Sequence, residues 1–208
     1  MTTLAFLTAV YNEQDEIVDL LESIRYHVDT IVVSDDGSID ATVPLAVQSG
    51  LVDVLVLGPH LASCEEIRIR GFNRITEDWV LILDADERIA PEGLKLVYEA
   101  IQRAEDEGFT HIYFAQDEFI DGQQTHSFAK IKAAKRDCIN LPIGIHDDIS
   151  CTGNPVNIGV RVIHRKTMIK QIQREQEYIQ AYKRKITEGK MTPQRAAEVT
   201  GWHYVVKE

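Results

Sequence analysis

The chain has 208 residues, 44% of them apolar, and a formal net charge of −11; this suits one folded domain, or one domain with a C-terminal extension, with length enough to bury a full core. Its longest apolar runs are strand-sized, far short of the roughly 20 residues of a membrane span, and no basic start leads into a long apolar run, so no secretory signal is expected. An acidic chain is a poor nonspecific ligand for nucleic acid, and three scattered cysteines, Cys64, Cys138 and Cys151, without a C-x-x-C pair, read as thiols of a reducing, cytoplasmic setting.

LAFLTAV (4–10) is apolar without helical period and ends at YNE, the mark of a buried strand of the parallel kind. In QDEIVDLLESIRYHV (14–28), Ile17, Leu20, Leu21 and Ile24 recur at helical spacing, with Asn12 as the expected N-cap and acids in the first turn. TIVVSDD (30–36) is a second strand. GSIDATVPLAVQSG (37–50) predicts a turn and a short helix, capped by Asp40, tolerating Pro44 in its first turn and stopped by Gly50. LVDVLVLG (51–58) is a third strand, 61–76 a helix bearing Arg68 and Arg70, and WVLIL (79–83) a fourth strand. Pro91 opens an amphipathic helix over 91–108, and THIYFAQ (110–116) is a fifth strand. Residues 1–116 are therefore a β-α repeat, which predicts a parallel sheet with helices on both faces.

Beyond Asp117 the pattern changes. QTHSFAKIKAAKRD (124–137) predicts an extended strand or hairpin, the Gly-, Pro- and Asn-rich 140–159 a loop, and VRVIHR (160–165) a short strand. A long basic helix over 166–190 and a short one over 193–201 follow. Residues 1–128 hold 25 acids and 7 bases, whereas 129–208 hold 8 acids and 15 bases. A tail of that sign either faces something anionic or packs on the acidic part. No linker or repeat divides the chain, so 1–116, 117–164 and 165–208 are expected to form one compact domain.

Three polar clusters close predicted strands: YNE after the first, DD after the second and DAD after the fourth. In open parallel sheets the ligand crevice lies outside the strand C-termini. Asp84 and Asp86 stand two apart, on one side of an extended chain, where two carboxylates repel unless a cation lies between them. Oxygen ligands of this kind suit Mn2+ or Mg2+. The plainer alternative makes these acids caps of the following helix, with Glu87 and Arg88 a surface pair.

AVYNE, VVSDDGSIDAT and RIRGFNRITEDWVLILDADERI follow one another in the order found in family 2 glycosyltransferases, and the chain resembles that family, nearest its lipopolysaccharide-core subgroup. The resemblance implies the GT-A fold: an α/β, Rossmann-like, mostly parallel sheet with helices on both faces and a C-terminal helical extension. It further implies a nucleotide-sugar donor, usually a UDP-sugar, bound by the 1–116 half, inversion at the anomeric carbon, a Mn2+ or Mg2+ cofactor, and a glycan, glycolipid or other hydroxyl acceptor on the 117–164 side. By position, Val10, Tyr11 and Glu13 would line the base and ribose pocket, Asp35 would read the base, and Arg68 and Gly71 match the family's A-R-N-x-G stretch, with Ile69 in place of its asparagine. Asp84 would face ribose or metal, and Asp86 would bind the metal. IGIHDDI (143–149) resembles the subgroup's His-Glu acceptor stretch, with His146 and Asp147 at those positions; an inverting transfer needs a base for the acceptor hydroxyl, Asp147 first and Asp148 second. The resemblance also suggests His164 as a late histidine of the metal or diphosphate site, with Arg161, Arg165 and Lys166 near the diphosphate and His203 the weakest candidate.

The helix over 165–190 carries an apolar stripe of Met168, Ile169, Ile172, Ile179, Tyr182 and Ile186. Packing of this stripe on the sheet is the expectation; lying on an anionic membrane surface is the alternative. A haloacid-dehalogenase-type phosphatase fits less well, because Arg88 stands where its pattern wants Thr or Val. A dinucleotide dehydrogenase lacks its G-x-G-x-x-G after the first strand. A nucleotide-sugar-binding module without catalysis stays open.

Overall fold

The structure is a computed structural model that describes residues 1–61, 64–141, 149–192, 194 and 196, with backbone alone at 64 and 65. Four strands run parallel: β1 (Leu4–Val10), β2 (Thr30–Asp35), β3 (Val54–Leu57) and β4 (Trp79–Ile82). The short strand β5 (Glu87–Ile89) precedes β6 (His111–Ile120) and β7 (Gln123–Lys135), and β10 (Pro155–Lys166) completes an eight-stranded sheet ordered β3-β2-β1-β4-β7-β6-β10-β5. A separate two-stranded ladder joins β8 (Ile139–Asn140) to β9 (Ser150–Cys151). Only β7 and β5 run against the rest, so the mostly parallel α/β sheet expected from the β-α repeat is what the chain forms.

Alternation along the strands divides two cores. Leu4 and Phe6 of β1 and Trp79 and Leu81 of β4 face one side, where they meet α1 (Ile17–Ile24), α2 (Thr42–Ser49) and α4 (Pro91–Glu107). Ala5 and Leu7 of β1 and Val80 and Ile82 of β4 face the other, near α3 (Cys64–Phe72). Successive strand side chains point to opposite faces, so an apolar run such as WVLI supplies both layers at once. α3 lies close on β1 and β2 because Gly71 has no side chain: a Cβ there would stand 2.5 Å from Leu7 Cδ1 and 3.1 Å from Ser34 Cβ, both buried. Gly71→Ala is accordingly expected to lower the unfolding free energy by about 1–3 kcal/mol through overpacking; a urea midpoint equal to that of the parent chain would refute this.

Several local expectations are corrected. The sheet is not parallel throughout: β7 enters antiparallel between β4 and β6 as the return arm of a hairpin. Asn12 does not cap α1. It adopts φ 54°, accepts from the Ile39 N–H at 2.9 Å and donates its own N–H to Ser38 Oγ at 2.9 Å, which ties the turn after β1 to the turn after β2. Asparagine enters that left-handed region at low cost. The first α1 turn forms instead on Glu13, whose carbonyl accepts from the Glu16 and Ile17 N–H groups. Asp40 stands one residue before the N-cap of α2, which is Ala41, and accepts from the Thr42 N–H at 2.9 Å; Gly50 closes the helix at φ 66°. The 140–159 stretch is not all loop: β10 starts at Pro155 and bulges at Gly159, φ 75°.

α5 (Met168–Thr187) fills the place of the long basic helix, with Thr167 Oγ1 accepting from the Lys170 N–H. Among the described residues, its stripe joins neither of the two sheet cores. Tyr182 and Ala181 bury with Ala196 in a small cluster of their own, while Met168, Ile169 and Ile172 stay exposed. No helix among the described residues is long and apolar enough to cross a membrane. Cys138 and Cys151 are free thiols. The helix expected over 193–201 lies outside the described residues except at 194 and 196, and His203 lies outside them as well.

Candidate active site at the strand ends

The sheet order sets β1 between β2 and β4, so the residues following these strands meet at one edge. β6 and β10 run in the same direction and bring their own C-terminal ends, Gln116–Glu118 and His164–Lys166, to that edge. Ends of β1, β2, β4, β6 and β10 therefore converge.

On the β2 side, Asp35 is buried. Its Oδ2 accepts from the N–H groups of Gly37 at 2.8 Å and Ser38 at 3.0 Å, whereas its Oδ1 is buried without a hydrogen-bond partner. Its ladder partner is Val10, also buried. Asp36 accepts from the Leu61 N–H at 2.7 Å and holds His60 Nδ1 at 2.8 Å. The His60 ring stacks on Tyr11 with centroids 3.9 Å apart and planes 18° from parallel. An aromatic platform and an unsatisfied acceptor thus lie side by side.

On the β4 side the chain does not run extended through Asp84 and Asp86. The Glu87 N–H donates to the Asp84 carbonyl at 3.0 Å, closing a turn. The two carboxylates consequently part company. Asp84 pairs with the Arg68 guanidinium of α3. Asp86 Oδ1 lies 3.1 Å from His164 Nε2, off the line of a hydrogen bond. Glu87, read above as half of a surface pair, is fully buried. Both its oxygens lie 2.6 Å from Lys132 Nζ of β7, and Oε2 also accepts from the Asp84 N–H at 3.0 Å. Arg88 turns away to Glu16 at 2.9 Å and to the Ala85 carbonyl at 2.6 Å.

Electrostatics follow this geometry. Burial acts to raise Asp84, but Arg68, then Lys132 and His164, outweigh it and hold the carboxyl far below its usual range, although about a third of the side chain meets solvent. Burial likewise acts to raise Asp86, and the facing His164 imidazole brings it down; in return Asp86 raises His164 against the effect of burial. Glu13 is the opposite case. Burial raises it in spite of Arg174 and Lys170 beside it.

Asp84, Glu87 and His164 each offer a ligand atom within 4.8 Å of the others, and Asp86 faces the same imidazole. Carboxylate oxygens with one imidazole nitrogen are a donor set that fits Mn2+ or Mg2+. Within it Glu87 is engaged by Lys132 and Asp84 by Arg68, so Asp86 and His164 are the two residues best placed to hold such an ion. The His164 ring is oriented by Gln116, whose amide nitrogen lies 3.0 Å from Nδ1, and by Glu118 at 3.4 Å. Asp147 and Asp148, and with them His146, lie outside the described residues.

Residues that sequence reasoning missed are His60, Glu87, Lys132, Gln116, Glu118, Lys170 and Arg174. A signal existed for Lys132, a lone cation in the otherwise small and apolar IKAA of β7, and for Gln116 and Glu118, part of the polar run QDE that follows the apolar HIYFA. The remainder carried none.

A mostly parallel α/β sheet with acidic and aromatic groups gathered at its strand ends is the GT-A class of domain. The chain belongs to glycosyl transferase family 2, whose signature matches residues 6–153. It is 29% identical over 157 residues to the succinoglycan biosynthesis protein ExoO of Rhizobium meliloti (strain 1021), covering 69% of this chain and 42% of that protein. To the amylovoran biosynthesis glycosyltransferase AmsB of Erwinia amylovora it is 30% identical over 149 residues, covering 67% of this chain and 46% of that protein. The matches thus span less than half the length of these relatives. Among solved structures, the glucosyl-3-phosphoglycerate synthase of Mycobacterium tuberculosis in complex with Mn2+, uridine diphosphate and phosphoglyceric acid superposes with a TM-score of 0.55 at 19% identity, over 86% of this chain and 76% of that one. That likeness concerns the fold.

Proposed function

We propose that this chain transfers a sugar from a UDP-sugar to an acceptor hydroxyl, with inversion at the anomeric carbon and with Mn2+ or Mg2+ as cofactor. The observation that carries the reading is Asp35 Oδ1, a buried carboxylate oxygen without a partner beside the Tyr11–His60 stack. Leaving such an acceptor unmade is costly, and the N3–H of uracil is a donor that would satisfy it. Family membership supports the transferase reading, and the relatives named above include a biosynthetic glycosyltransferase.

In this mechanism Val10 and Tyr11 flank the nucleoside, and Asp35 selects the base. Arg68 and the cations around Asp84 lie where negative charge grows on the departing diphosphate. A divalent cation held by Asp86 and His164 would supply further neutralisation of that diphosphate when bound. For Nε2 to act as a ligand, Nδ1 must carry the proton. Half a turn of the Gln116 amide turns its Oε1, buried without a partner, into the acceptor for that proton. Asp147, with Asp148 in reserve, is the proposed base for the acceptor hydroxyl, on the opposite face of the sugar carbon from the leaving group. The acceptor is a glycan, a glycolipid or another hydroxyl compound; contact of 165–190 with a membrane surface belongs with the glycolipid case, and Ile169, 70% exposed, would be part of it.

Calorimetry with UDP and CDP tests the reading. Cytosine lacks the N3–H donor, so UDP is expected to bind about 10–100-fold more tightly than CDP, and Asp35→Ala to erase the difference. Equal affinity for the two nucleotides in the parent chain would defeat the assignment.

A further inference from the structure

α5 is attached to the domain by charge. Lys170 Nζ lies 2.8 Å from Glu13 Oε2, and the Arg174 guanidinium pairs with Glu13 Oε1. Further along, the Arg184 guanidinium donates to the Leu61 carbonyl, and Lys185 Nζ lies 3.1 Å from Glu66. None of its described apolar residues belongs to either of the two sheet cores; those that bury do so with Ala196. Glu13 follows β1, and Leu61 follows β3. The helix therefore runs across the strand ends, from the residues after β1 toward those after β3.

Its cations face more than Glu13. Asp84 and Asp86 both act on Arg174, and Asp86 and Glu16 act on Lys170. Glu13 itself is a poor resting place for two cations, since it is only 2% exposed and its charged form is disfavoured by burial. A buried ion pair returns little net stability once desolvation is counted. An arginine fork and a lysine ammonium match phosphate oxygens at least as well as a carboxylate.

We propose that Lys170 and Arg174 are ligands for the donor's diphosphate, carried on α5 and latched on Glu13 until the nucleotide takes them over. This rests on the nucleotide-sugar reading above. Donor binding and closure of the helix are then one event, and Glu13 is the competitor that the diphosphate displaces.

The experiment compares Glu13→Gln with Glu13→Gln/Lys170→Met/Arg174→Met by calorimetry, using uridine and UDP with Mn2+ present. The quantity read is the preference for UDP over uridine, which reports the diphosphate alone. The triple variant removes Glu13 together with both of the cations paired to it, so neither side of that ion pair is stranded and the chain is expected to fold, as a circular-dichroism melt will show. The preference should fall by at least about 30-fold from the single to the triple variant, the scale of two charge-assisted hydrogen bonds. It should rise from the parent chain to Glu13→Gln. An unchanged preference in the triple variant overturns the proposal, and a lower preference in Glu13→Gln than in the parent overturns the latch. A parent chain that binds neither uridine nor UDP refutes the nucleotide-sugar reading instead.

Discussion

Asp86→Ala is expected to lower the affinity for UDP in the presence of Mn2+ by more than about 100-fold, beyond the 10–100-fold that loss of a mere supporting residue costs a metal site. The turn closed by the Glu87 N–H separates Asp86 from Asp84 and aims it at His164, 3.1 Å away. The other carboxylates of the cluster have protein cations of their own: Arg68 on Asp84, Lys132 on Glu87. Asp86 has the His164 imidazole, which must be neutral to bind a metal, and at longer range the charge of Arg174. Its carboxyl is held low and stays ionised. Calorimetry with Mn2+ and again with chelator reads the result. Survival of Mn2+-dependent UDP binding in Asp86→Ala would move the metal to Asp84 and Glu87 and remove the proposed role of Asp86.

Lys132→Met carries the largest expected effect on stability, a loss of about 3–5 kcal/mol, because removing one partner of a buried ion pair leaves the other uncompensated. Glu87 is fully buried, and Lys132 supplies both of its close cationic contacts, at 2.6 Å. What would remain is the Asp84 N–H and, at 3.9 Å, His164 Nδ1. Against a typical total of about 5–15 kcal/mol, that loss brings the chain close to unfolding at ordinary temperature. Lys132→Met/Glu87→Gln should recover most of it, since no charge is then stranded. Urea denaturation of both variants decides the matter. A loss below about 1 kcal/mol in the single variant, the range of a solvated surface pair, would contradict this account.

Much of the fold was legible in the chain. β1 to β4 and α1 to α4 fall where apolar runs and helical periods put them, because each of these signals is local. A strand buried on both faces needs a continuous apolar run, and a helix against it needs one apolar side. The clusters after β1, β2 and β4 could be read as one site for the same reason, since parallel strands deliver their C-terminal ends to a single edge. Asp84 and Asp86 were visible as a pair, but their divergence was not. It depends on a turn set by Glu87, whose carboxylate and backbone both contribute to it.

The sequence by itself thus determined the class of the domain, its alternating architecture and the edge at which its chemistry lies. Tertiary structure alone decided the partners. Lys132 meets Glu87 because β7 slips between β4 and β6. His164 meets Asp86 because β10 pairs with both β5 and β6. Lys170 reaches Glu13 across 157 residues. The physical reason is the range of the signal: propensity and period act within a few residues, whereas the counter-charge of a buried group is set by which strands are neighbours and in what register.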